Sequence, residues 1–228
     1  MNQEIIIVTS AWHTGTWFTL GLLSQHSQIS NPVTPKEIHR EGLSVVSANR
    51  KTWRVVLLED LKQEILNLRP DPRYVLLFDH INSSWLYPLL LYKPFDFKLI
   101  APLRHPFSMM RSCILGHGPP AIEVFSYYMV LLQLVKNEPQ KAIIPVDLWG
   151  KIPFEERMEK VQETFRYVEL ELEEKIINFI REWPIVNASA HKRELTSKEH
   201  NEIMERIRLS KVIPMLNDFG FPYNVNPN

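Results

Sequence analysis

The chain has 228 residues, of which 45% are hydrophobic, and its 26 Lys and Arg balance its 26 Asp and Glu to a formal net charge of +0. Such a length, with no break in composition, fits one domain over residues 1–228 that can bury a sizeable core. The charge balance leaves no global field to favour nucleic acid or an anionic membrane, and no apolar run approaches the roughly 20 residues needed to span a bilayer.

Cys113 is the single cysteine, which rules out an intrachain disulfide and suits a reducing compartment. The chain enters a core-like strand by Ile5 without a basic leader, so a cytoplasmic location is expected, and the Asn-x-Ser triplets at Asn82 and Asn187 read as chance matches. Glycine is scarce at 7 residues and proline plentiful at 17. A glycine in a loop therefore carries more information here than usual.

Taken in order, the first element is an apolar run from Ile5 to Val8, followed by small and polar residues, Gly15, and an amphipathic stretch to Leu23. This is strand, loop and helix. The first N–H groups of a helix have no intrahelical partner and lie at the positive end of its dipole, so such a junction can bind an anion. Thr14, Gly15 and Thr16 offer a tight turn and two hydroxyl donors. The loop lacks the two spaced glycines and the Gly-Lys-Ser/Thr of a nucleotide triphosphatase. An ordinary βα turn of an α/β domain is the competing reading.

Residues 27–42 read as an irregular loop broken by Pro32 and Pro35, with Glu37 and His39 as polar members that could approach the mouth of the site. The apolar spacing from Val55 to Leu68 predicts a helix. Residues 74–80, YVLLFDH, read as a buried parallel strand ending in Asp79 and His80, and ligands favour the carboxyl ends of such strands. A helix over 85–92 is expected to be shortened or kinked by Pro88. Residues 97–103 predict another strand, delivering Arg104 at its end, with Pro106 opening a helix that carries Ser112.

An apolar, aromatic helix is predicted from Ile122 to Val135, as core or acceptor-pocket wall. A last strand is expected over 142–149, at an edge because of Pro145. Charged amphipathic helices are expected over 154–165 and 170–183. Thr196 and Glu199 form a possible capping box for a final helix that Pro214 interrupts. No His, Cys, Asp and Glu cluster has metal-ligand spacing, so no metal is implied.

The loop resembles the 5′-phosphosulfate loop of the sulfotransferase family, with Thr14, Gly15 and Thr16 at its Ser-Gly-Thr positions. LIAPLRHPFSMMRSC, 99–113, resembles that family's 3′-phosphate motif, with Arg104 and Ser112 at the matching spacing. His80 is similar in context to the catalytic histidine of cytosolic members. ELTSKEHNEIMERI near the C-terminus looks like the segment after a second phosphate-contacting loop, for whose basic residues Lys192 and Arg193 could stand in. The sequence departs from the family at His13, in place of a basic residue, at Trp17, in place of a threonine, and at Phe78, in place of a lysine.

The resemblance implies a single α/β domain with a mainly parallel sheet and a P-loop-related fold. It implies sulfonate transfer from 3′-phosphoadenosine 5′-phosphosulfate (PAPS) to a hydroxyl or amine of a small-molecule acceptor, leaving 3′,5′-ADP. Thr14, Gly15 and Thr16 would bind the 5′ side, Arg104 and Ser112 the 3′-phosphate, and Trp17 or Phe18 would stack on the adenine. His80 is the candidate base, with Glu37 and His39 as rivals, and His13 faces the transferring sulfonate. A non-catalytic nucleotide-binding member and a P-loop nucleotide kinase stand as the alternatives.

Overall fold

Ile5, Ile6, Ile7 and Val8 are all fully buried, as successive side chains of a strand must be when a sheet is covered on both faces. The computed structural model describes residues 3–33, 58–82, 86–116, 119–148, 152–182 and 193–220. Strands β1 (Glu4–Ser10), β2 (Tyr74–His80), β3 (Lys98–Leu103) and β4 (Lys141–Pro145) form a sheet of order β2-β1-β3-β4. Every pairing is parallel.

Alternation divides the core in two. Ile5, Ile7, Val75, Leu77, Leu99 and Ala101 point to one face. There they meet α2 (Leu58–Asn67), α3 (Leu86–Tyr92), α4 (Pro106–Leu115), α5 (Ala121–Asn137), α8 (Ser197–Leu209) and α9 (Val212–Asn217). Ile6, Val8, Leu76, Phe78, Ile100 and Ile144 point to the other. That face is covered by α1 (Thr16–Leu23), α6 (Phe154–Tyr167) and α7 (Glu174–Glu182). The result is the three-layer α/β arrangement expected from alternating strands and helices.

The outer edge of β2 is protected by residues 28–33, which run beside it: the Ser30 and Val33 amides donate to the carbonyls of Tyr74 and Leu76. The chain goes from β1 outward to β2, then crosses back over β1 to β3. This reversal puts a switch point between the carboxyl ends of β1 and β3, where open α/β sheets form their ligand crevice.

Three sequence expectations need correction. The last strand stops at Pro145 instead of running to 149, because proline supplies no ladder N–H, and a 3₁₀ turn (Val146–Leu148) follows. Pro214 does not interrupt one long helix; α8 ends at Leu209 and Pro214 lies in the first turn of α9, where its missing N–H costs nothing. Pro88 likewise falls in the first turn of α3, which continues to Tyr92. The capping box forms as expected, with Thr196 and Glu199 each bonding the other's backbone N–H. Among the described residues no helix is long and apolar enough to cross a membrane.

Candidate active site

The loop between β1 and α1 is built from two left-handed residues, His13 (φ 63°) and Gly15 (φ 96°). A Cβ on Gly15 would sit 2.4 Å from Val146 Cγ2, so glycine is required both for its backbone and for the close packing of the loop on the turn after β4. Thr14 is fully buried, and its hydroxyl donates to the Ala11 carbonyl at 2.8 Å. The turn thus uses the Thr14 hydroxyl internally, where the sequence reading had it facing an anion. Thr16 opens α1 after Gly15, and no side chain caps the first N–H groups of the helix. Left-handed turns leading into a helix start make a concavity of N–H groups suited to a phosphate.

Arg104 closes the other side. It is held just beyond β3 by Tyr128 of α5, whose hydroxyl donates to the Arg104 carbonyl at 2.6 Å and accepts the Arg104 amide at 3.3 Å. Its guanidinium spreads three ways: Nη1 donates to the His13 carbonyl at 3.0 Å and to Ser112 Oγ at 3.2 Å, and Nε pairs with Asp147 Oδ1 at 3.0 Å. The other Asp147 oxygen accepts the His105 amide. His105 then caps α4 by accepting the Phe107 amide at 3.1 Å. The expected Arg104 and Ser112 pair is therefore assembled, and it is tied to the loop itself.

His80 ends β2 in register with Ser10 at the end of β1. Its Nδ1 lies 3.0 Å from Ser10 Oγ, and Ser10 Oγ lies 2.6 Å from Thr16 Oγ1. The neighbouring Asp79 carboxylate accepts the amide of His80 at 2.7 Å, and side chains of adjacent strand residues point to opposite faces. The imidazole stacks on Trp12 (centroids 4.7 Å, 22°) and meets Phe78 edge-on at 5.9 Å, while Phe78 lies 5.6 Å from Trp17. Burial pushes the His80 pKa down to about 4, against a hydrogen bond to the Ser10 backbone that raises it, and a charge on His13 lowers it further. The ring is neutral at physiological pH.

Trp17 is 72% exposed and free to stack on a planar ligand, whereas Phe18 is buried against Phe179 in the core. Of the two expected adenine-stacking side chains, helical geometry turns only Trp17 outward. Arg193 is exposed and forks onto Glu199 at 2.7 and 2.8 Å, reinforcing the cap of α8. Glu37, His39 and Lys192 lie outside the described residues. Cys113, next to Ser112, is buried and its thiol is pushed up to about 12 by that burial, so it stays protonated at neutral pH.

Sequence reasoning missed Ser10, Trp12, Asp147 and Tyr128. Ser10 and Asp147 each stand at or just past the carboxyl end of a strand, the one signal that could have found them. A groove of about 790 Å³ lined by Lys136, Lys141, Lys160, Tyr167 and Phe219 runs beside β4 and contains none of these loop residues, so size alone does not locate the site.

No protein-family model and no curated protein matches the chain. Solved structures do. It is similar to the sulfotransferase domain from the curacin biosynthetic pathway, with TM-score 0.52 and 16% identity over 90% of this chain and 98% of that one. It is also similar to the sulfotransferase domain from the Synechococcus PCC 7002 olefin synthase, with TM-score 0.53 and 13% identity over 91% and 95%. The chain has the sulfotransferase fold. Within that fold the loop after β1 is tied to the end of β2 through Thr16, Ser10 and His80, and to the end of β3 through Arg104. The sulfotransferase fold is here lined by Trp12, Phe78 and Trp17.

Proposed function

We propose that the protein is a PAPS-dependent sulfotransferase acting on a hydroxyl or amine of a small acceptor. The observation that carries the reading is the Arg104 guanidinium, which joins the His13 carbonyl of the anion loop to Ser112 across the switch point of the sheet. The donor would supply an activated sulfonate on a nucleotide phosphate. The concavity at His13 to Thr16 and the positive end of α1 would hold its 5′ side, and Arg104 with Ser112 its 3′-phosphate. Trp17 offers an exposed ring for the adenine. These residues fit such a donor. The exception is the missing permanent cation in the loop, since His13 carries charge only when protonated.

His80 is the base in this reading. A neutral imidazole at the crevice can take the acceptor proton as the sulfonate passes to the acceptor oxygen or nitrogen in line, and the ring wall of Trp12 and Phe78 keeps water away from it. The aromatic lining favours an apolar acceptor. A second reading, a nucleotide-binding member of the fold without turnover, is favoured by one observation: the Arg104 charge is already shared with Asp147.

Titration calorimetry with 3′,5′-ADP and ATP, followed by turnover with a panel of phenols and amines, tests both. Binding of 3′,5′-ADP in preference to ATP supports the donor site. His80→Ala should then lower turnover by roughly 10²–10⁴ while leaving 3′,5′-ADP affinity nearly intact. If His80→Ala stays within a few-fold of wild type and Glu37→Ala abolishes turnover, the base is Glu37.

A further inference from the structure

The two hydroxyls and one imidazole at the start of α1 and the ends of β1 and β2 form a continuous chain: Thr16 Oγ1, Ser10 Oγ at 2.6 Å, His80 Nδ1 at 3.0 Å. Ser10 is fully buried and shielded from bulk water, whereas Thr16 keeps a small exposure, 4%, at the loop. Each hydroxyl has one proton to give and lone pairs to receive. Two arrangements run from donor to acceptor in one direction along the whole chain, whereas one in which Ser10 Oγ accepts from both neighbours leaves the Ser10 proton outside it. In one, Thr16 donates to Ser10 and Ser10 donates to Nδ1, which puts the proton of the neutral ring on Nε2. In the other every bond is reversed: Nδ1–H donates to Ser10, Ser10 donates to Thr16, and Thr16 must find an acceptor beyond the chain.

The two arrangements differ in chemistry. With its proton on Nε2 the imidazole has no lone pair to offer an acceptor molecule; with its proton on Nδ1 it does. Thr16 opens α1 at the end where an anion would sit, and an anionic oxygen there is the acceptor that the reversed chain needs.

We propose that Thr16 and Ser10 are positioning residues that couple the anion loop to His80: when Thr16 donates to a bound phosphate, the chain reverses and Nε2 becomes the basic nitrogen. This deepens the reading of His80 as the base and rests on it. The ring stays neutral throughout, because Nε2 releases a proton to solvent, Nδ1 takes one from Ser10, Ser10 from Thr16, and Thr16 from solvent. The imidazole would thus be competent as a base only when the donor site is filled, which protects against idle proton uptake. The depressed basicity of the buried ring keeps the exchange between two neutral forms.

Nitrogen NMR of the full chain labelled with ¹⁵N-histidine reads the tautomer directly, with the His80 signals assigned by their loss in His80→Gln. On saturation with 3′,5′-ADP, the wild-type His80 proton should move from Nε2 to Nδ1. Thr16→Val should still bind 3′,5′-ADP within about tenfold, having lost one hydrogen bond, and show no such change. Thr16→Ser, which keeps the hydroxyl, should restore it. Ser10→Ala provides the same loss of response if Thr16→Val does not fold. A His80 tautomer that is identical with and without ligand, or that shifts equally in Thr16→Val, overturns the relay while leaving the donor site intact. Failure of wild type to bind 3′,5′-ADP, read by calorimetry on the same sample, overturns the donor reading and the relay together.

Discussion

Arg104 carries more of this site than any other side chain. The resemblance makes it a candidate phosphate clamp, and the structure makes it a brace, since the same Nη1 that reaches Ser112 holds the His13 carbonyl. Arg104→Ala should therefore cost about 2–4 kcal/mol of affinity for 3′,5′-ADP, the scale of a lost charged partner, and about 1 kcal/mol for 5′-AMP through the loosened loop. Calorimetry with both nucleotides measures the difference, and equal losses would make the role of Arg104 purely structural. Asp147 sets the opposite balance. Its carboxylate would compete with a bound phosphate for the guanidinium, so Asp147→Asn should tighten 3′,5′-ADP binding by about 1 kcal/mol, a modest gain because the amide still accepts a hydrogen bond. Unchanged or weaker binding would mean that Asp147 orients Arg104 for the ligand. The pairing was invisible in the sequence because 43 positions separate the two residues, and only the adjacency of β3 and β4 brings them together.

At the scale of elements, the anion loop is specified by what packs beneath it as much as by its own residues. Gly15 combines a left-handed backbone with Val146 immediately below. Gly15→Ala should destabilise the fold by about 2–4 kcal/mol, from αL strain plus overpacking. In a Val146→Ala background the overpacking is relieved and about 1–2 kcal/mol of backbone strain should remain. Urea denaturation midpoints of the four proteins close this cycle; equal penalties in both backgrounds would show that Val146 yields at no cost. The same packing explains why β4 ends where it does. Pro145 stops the ladder, and the turn that follows places Val146 under the loop and Asp147 against Arg104.

For the whole molecule, burial of His80 links folding to pH. The unfolded chain takes up a proton on this imidazole near the ordinary value of about 6.5, whereas the folded protein resists until about 4. Stability contributed by the neutral ring is therefore complete above 6.5 and is lost as pH falls towards 4, on the order of 3 kcal/mol in total. Urea denaturation across this range should show that slope, and His80→Gln should flatten it; a parallel slope in the variant would place the proton uptake elsewhere. Glu199, held down to about 2 first by its bonds from Arg193 and Thr196, loses its contribution only below the ordinary carboxylate range and so does not overlap the window between 6.5 and 4.5. By itself the sequence determined the alternation of strands and helices, the loop at Gly15, the Arg104 and Ser112 spacing and the Thr196 cap, because each is a local signal of period, turn or cap read over a few residues. Only the tertiary structure decided which strand lies beside which, that Ser10 meets the His80 ring, that Asp147 shares the Arg104 charge, and that Phe18 faces inward while Trp17 faces out. Those outcomes depend on sheet order and on which face packing buries, and neither is encoded in any short stretch of chain.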